Sequence, residues 1–169
     1  MTITNFTRPA SIQEGDTIGI LSTARAIDQN ELEVAKKHIN SKGFNVIYGA
    51  TIGARHHQFA GNDELRLNDL QTMIDTPEVD AIICARGGYG TARLLDDINW
   101  TNFRENPKWI MGYSDITALH NTLSKMGIMS LHGIMPINLK DNQSKDALND
   151  AMKIMCGATQ YSLALPSHH

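Results

Sequence analysis

The chain has 169 residues, 41% of them hydrophobic, which is enough for one globular domain with a substantial core and too few for two. Its 15 basic and 18 acidic side chains are spread fairly evenly and leave a net charge of -3 at pH 7, which argues against a nucleic-acid groove or a membrane-binding face. Cys84 and Cys156 form neither a CxxC pair nor a spaced ligand set, so a metal site and a disulfide framework both lack support, and a reduced, cytoplasmic setting is expected.

Residues 1–9 lack the basic-then-apolar order of a secretory signal, and no later apolar run is long enough to span a bilayer, so a soluble, unexported protein is expected. The first predicted strand covers residues 17–21 and ends in the polar turn Ser22-Thr23-Ala24-Arg25. Asp28 stands three residues before Glu31, a capping-box spacing, and Leu32, Ala35 and Ile39 share one helical face up to a stop at Gly43. A second strand, residues 44–48, leads into a long polar connection, 49–61, that contains His56, His57 and Phe59. Asn62 can cap a helix in which Leu67, Leu70 and Ile74 align and which Pro77 ends.

The third strand, residues 81–85, runs directly into Arg86-Gly87-Gly88-Tyr89-Gly90, and a helix carrying Leu94, Leu95 and Ile98 is expected next. The fourth strand, residues 108–113, runs into Ser114, and from Asp115 an amphipathic helix takes over with Ile116, Leu119, Leu123 and Met126 in phase. A fifth strand is expected at residues 128–131, ending at His132-Gly133. A last helix around Ala147, Ala151, Ile154 and Met155 stops at Gly157, and residues 161–166 read as a short extended exit. This alternation is that of an α/β protein with a doubly wound, mainly parallel sheet, whose right-handed crossovers put all strand carboxyl ends on one edge. Ser22, Arg86 to Gly90, Ser114-Asp115 and His132-Gly133 all fall on that edge.

A serine between a strand and a helix is presented outward while the N–H groups of the helix start remain free to donate, which suits a nucleophile beside an oxyanion hole. Ser and Asp are also ordinary helix-capping residues, and on spacing alone capping outranks catalysis. The segment departs from G-x-S-x-G, having Ile116 where the second glycine would stand. The 86–90 segment permits close backbone approach and suits an anion-binding loop or an oxyanion donor, yet it matches neither the dinucleotide fingerprint nor the P-loop. A tight turn with Arg86 on the surface is the competing reading. His132 is a candidate general base if the fifth strand lies beside the fourth, against a histidine merely packed at a turn. His120, six residues after Ser114, is expected to face away from its hydroxyl. A convincing base within about 3 Å of Ser114 is not evident.

Together, Gly15-Asp16-Thr17-Ile18-Gly19-Ile20 with Ser22, the glycine loop 85–90, Gly112-Tyr113-Ser114-Asp115-Ile116-Thr117 and Leu131-His132-Gly133 resemble the serine peptidases of the LD-carboxypeptidase group, which includes microcin-immunity peptidases. The resemblance implies a flavodoxin-like amino-terminal domain, here residues 1–160, with a linker starting at 161–169 and leading to a second domain that supplies the Glu and His of a Ser-Glu-His triad. It implies Ser114 as nucleophile, the backbone N–H groups of Asp115 and Gly88 as oxyanion donors, and Ser22, Arg86, Gly87 and Tyr89 as substrate-binding residues. The implied reaction releases the terminal D-alanine of a murein tetrapeptide, with a muropeptide as partner and with no metal or organic cofactor. With the triad Glu and His absent, the chain alone is expected to be inactive. One local departure is Ile134-Met135-Pro136 after His132-Gly133, where many relatives place proline nearer the glycine. Two other readings are a non-catalytic flavodoxin-like ligand-binding or regulatory module, and an exposed sheet edge that pairs with a second copy as a homodimer.

Overall fold

Runs of branched and apolar residues become five strands in the computed structural model, which describes residues 5–160. They are β1 (Thr17–Leu21), β2 (Asn45–Tyr48), β3 (Ala81–Cys84), β4 (Trp109–Gly112) and β5 (Leu131–His132). The sheet order is β2-β1-β3-β4-β5 and every pairing is parallel, the flavodoxin-like order. All residues of β3 and β4 are buried, as interior parallel strands covered on both faces require, whereas edge strand β2 alternates exposed and half-buried positions.

The helices are α1 (Glu33–Asn40), α2 (Asp63–Asp75), α3 (Thr101–Glu105), α4 (Thr117–Lys125) and α5 (Asn142–Met155). One face of the sheet packs against α1 and α5 through Ile39, Leu148, Met152 and Met155. The other packs against α2, α3 and α4 through Leu70, Met73, Phe103, Leu119 and Leu123. Expected caps are in place: the Asp28 N–H donates to Glu31 Oε2 at 3.0 Å, and Asn62 Oδ1 accepts from the Leu65 N–H at 2.9 Å. No helix among the described residues is long and apolar enough to cross a membrane.

Two expectations are corrected or moved. The helix expected to carry Leu94, Leu95 and Ile98 is instead a single 3-10 turn, Thr91–Arg93, followed by irregular chain. Leu94 and Ile98 are still buried, but the chain carries them on i to i+3 turns, with the Leu94 N–H donating to the Thr91 carbonyl and the Asp97 N–H to the Leu94 carbonyl, both at 3.1 Å. Helix α3 was not foreseen, because five residues are too few to establish a helical period. The fifth strand begins at Leu131 rather than 128, since residues 127–129 pair with Thr7: the Met129 N–H donates to the Thr7 carbonyl at 2.9 Å and the Thr7 N–H to the Gly127 carbonyl at 2.7 Å. The expected exit segment 161–166 and the linker 161–169 lie outside the described residues.

The long connection after β2 is organised by one buried carboxylate on α2. Asp69 accepts hydrogen bonds from the N–H groups of Ala50 and Thr51, both at 2.9 Å, and from the Thr51 hydroxyl at 2.5 Å. Thr51 Oγ1 in turn accepts from the Ser22 N–H at 2.8 Å, so the ends of β1 and β2 are joined. Asp69→Ala leaves buried donors unsatisfied and is expected to lower the unfolding free energy by about 3 kcal/mol, measured by urea denaturation.

Candidate active site

β4 ends at Gly112, Tyr113 continues extended, and the chain then turns sharply at Ser114, whose φ is +63°. Among the described residues only His57 shares a positive φ without being glycine. Left-handed backbone costs an L-residue about 1–2 kcal/mol, so the surrounding packing must hold it. Part of that packing is the contact of Ile116 with Gly112. A Cβ at Gly112 would lie 2.9 Å from Ile116 Cγ1, and Ile116 is fully buried. The isoleucine that replaces the second glycine of the elbow pattern therefore packs onto the first.

Ser114 is exposed at the tip of this turn and caps no helix: neither the 3-10 turn Ser114–Ile116 nor α4 has a side-chain cap. The first hydrogen bond of the turn runs from the Ile116 N–H to the Tyr113 carbonyl at 3.3 Å, so the N–H groups of Ser114 and Asp115 precede it. The capping reading of the sequence is thereby replaced by one of presentation.

The glycine loop after β3 lies directly against this turn. A Cβ at Gly87 would meet Ser114 Cβ at 3.2 Å and Ser114 Oγ at 3.3 Å, so any larger residue there would crowd the hydroxyl and glycine leaves it room. Asp115 joins the two segments, its Oδ2 accepting from the Thr91 N–H at 2.9 Å. The sheet thus brings Ser114, Asp115, Gly87 and Gly88 together. Tyr89 is exposed, with its ring 6.2 Å from that of Phe59. Arg86 is half-buried and donates from Nη1 to the Ala26 carbonyl at 3.1 Å, which pins the loop after β1. Ser22 is buried and turned inward, its hydroxyl donating to the Arg25 carbonyl at 2.7 Å. That placement suits shaping the 22–25 turn.

The histidines lie to the side. Gly112 O is an acceptor only, so His120 must donate to it from Nε2, at 2.8 Å, and Nδ1 then accepts from the Ser130 hydroxyl at 2.8 Å. Burial first, and the neighbouring His132 as well, hold the His120 pKa below the ordinary histidine value, although the bond to Gly112 opposes them. A neutral His120 thus buttresses the end of β4, with both ring nitrogens engaged by Gly112 and Ser130. His132 is exposed at the end of β5, its ring 6.2 Å from Tyr113 and 5.8 Å from His120. Among the described residues no imidazole or carboxylate is hydrogen-bonded to the Ser114 hydroxyl.

Cys84 is fully buried, and burial, helped by the Asp115 charge, pushes its thiol up to about 12, so it serves as a small core residue. Among the described residues no three His, Cys, Asp or Glu side chains converge as a metal site. Sequence reasoning missed Arg66 of α2, which is fully buried beneath these loops. The signal was available in the helix register, since Arg66 and Asp69 continue the face that carries Leu70, Met73 and Ile74.

Comparison with known proteins bears on the family and the fold. The LD-carboxypeptidase N-terminal domain matches residues 18–133. A probable murein peptide carboxypeptidase of Bacillus subtilis is 36% identical over 129 residues, covering 76% of this chain and 40% of its own length. The murein tetrapeptide carboxypeptidase of Pseudomonas aeruginosa is 32% identical over 131 residues, covering 75% of this chain and 43% of its own. The solved structure of the microcin C7 self-immunity protein MccF in complex with glutamyl sulfamoyl guanosine superposes with a TM-score of 0.85 over 94% of this chain and 50% of that one. At 24% identity that likeness is one of fold. A muramoyltetrapeptide carboxypeptidase from Oxalobacter formigenes gives 0.70 at 27% identity, over 80% of this chain and 47% of that one. The chain spans about half the length of the relatives it matches.

The left-handed backbone at Ser114 sets an expectation for stability. Ser114→Gly relieves the strain and is expected to stabilise the fold by about 0.5–1 kcal/mol, after the larger unfolded-state entropy of glycine is subtracted. Ser114→Val is expected to destabilise it by more than about 1 kcal/mol, because a β-branched residue tolerates that backbone least. Thermal and urea unfolding of the two variants measures both.

Proposed function

The chain belongs to the LD-carboxypeptidase family, and from that premise we propose that it is the nucleophile-bearing half of a serine carboxypeptidase acting on murein tetrapeptides in cytoplasmic cell-wall recycling. The observation that carries this reading is the exposed, left-handed Ser114 at a strand-to-helix turn, with the Gly87 backbone packed against its hydroxyl.

In this reading Ser114 Oγ attacks the carbonyl carbon of the amide that joins an L-centre to the terminal D-alanine, while a general base takes the hydroxyl proton. The tetrahedral oxyanion accepts hydrogen bonds from the backbone N–H groups of Asp115 and Gly88, which the Asp115–Thr91 bond holds in place. Collapse expels D-alanine as the amine, which receives the proton from the protonated base, and water then hydrolyses the acyl-enzyme. Gly87 and exposed Tyr89 border the peptide, the Arg86 guanidinium adds positive charge beneath the loop, and Ser22 shapes the neighbouring turn. The base is proposed to be a histidine oriented by a glutamate, both outside residues 5–160, because no imidazole or carboxylate among the described residues is bonded to Ser114. The mechanism requires neither metal nor organic cofactor.

Release of D-alanine from murein tetrapeptide, followed with a D-amino-acid oxidase coupled assay, tests this reading. The 169-residue chain alone is expected to release none above background. The chain joined to the proposed second domain is expected to turn over and to lose about 10⁴-fold or more in kcat on Ser114→Ala. Turnover by the short chain that Ser114→Ala abolishes would contradict the external base. A longer protein that binds muropeptide or another ligand without hydrolysis would favour a non-catalytic binding module.

A further inference from the structure

Arg66 occupies a place on α2 where the helix face otherwise carries Leu70, Met73 and Ile74, and it has no exposed surface. Taking a guanidinium out of water is costly unless its donors are matched, so its partners indicate what it holds. Nη1 donates to the carbonyl of Thr23, in the loop after β1, at 2.5 Å. Nη2 pairs with Asp63, and the cation lies over the ring of Phe59, in the loop after β2, 4.9 Å from its centroid. Its Nε is buried without a partner, so matching is incomplete and burial is retained nonetheless.

The third loop of this edge closes over the same group. Gly90 has φ +136°, and a Cβ there would stand 2.5 Å from Arg66 Nη1, so the glycine loop crosses the guanidinium at a point where only glycine fits. From this point a chain of contacts leads to the nucleophile. Thr23 and Thr91 share a buried hydroxyl–hydroxyl bond of 2.7 Å, and the Thr91 N–H donates to Asp115, the neighbour of Ser114.

We propose that Arg66 is a positioning residue, which fixes residues 87–91 from beneath so that their backbone stays against Ser114 and Asp115. Its importance for turnover rests on the carboxypeptidase reading, but its effect on the loop does not. Arg66 itself has no surface open to solvent. It acts through Thr23, Gly90 and Thr91.

Amide hydrogen exchange on the 169-residue chain tests the proposal, because protection is read without turnover and survives a failure of the carboxypeptidase reading. Arg66→Met is expected to lower protection of the Thr91 amide about tenfold or more, while amides of β1, β3 and β4 change less than about twofold. Arg66→Lys keeps a cationic donor for the Thr23 carbonyl and is expected to show an intermediate, several-fold loss confined to the same loop. Lys and Met fill a similar length, so a space-filling role would affect both alike. Equal effects, unchanged Thr91 protection, or a loss shared with the strands would overturn the proposal. If Arg66→Met does not fold, Arg66→Lys alone decides: a loss confined to the loop supports the proposal, and no loss or a strand-wide one overturns it.

Discussion

The hydrogen bond from the Thr91 N–H to the Asp115 carboxylate, 2.9 Å long, ties the loop after β3 to the turn after β4. Those segments belong to neighbouring strands, so the sheet alone would bring them close without fixing their relative height. With the bond in place, Gly87 faces the Ser114 side chain so closely that a Cβ on it would stand 3.3 Å from the hydroxyl oxygen. A charge-assisted bond of this kind is among the stronger local ties available to a loop.

The turn itself stores strain that its neighbours must oppose. Ser114 is held left-handed, Ile116 is locked against Gly112, and the Gly112 carbonyl is gripped by both the Gly133 N–H and His120 Nε2. Each of these contacts sits on the carboxyl side of β4 or β5, where side chains from different elements can converge. The arrangement separates two tasks. Interior strands supply rigidity, and a few polar atoms set the height and direction of one hydroxyl.

Much of the framework was legible because interior parallel strands must be apolar on both faces, so residues 81–85 and 108–113 stand out as runs. The place of Ser114 was legible from the same runs, yet its conformation was not, because a serine carries no sequence mark of a positive φ. Spacing therefore favoured a cap, and only the geometry shows the hydroxyl unused. The segment 91–98 misled because its apolar residues keep a helical period and remain buried even though the backbone is not helical. β5 slipped because pairing with Thr7, over 100 positions away, decides where the ladder begins, and periodicity cannot register so distant a partner. Arg66 went unnoticed because charged residues on a helix ordinarily mark its wet face, although its register with Leu70 and Met73 marked it as buried.

The central proposal is that Ser114 is presented to an oxyanion site made by two backbone segments, and covalent capture tests it most directly. A crystal structure of the chain joined to the proposed second domain and treated with a serine-directed phosphonate should show the adduct on Ser114, with its phosphonyl oxygen about 3 Å from the N–H groups of Asp115 and Gly88. An adduct on another residue, or one on Ser114 with that oxygen turned away from both donors, would contradict the account.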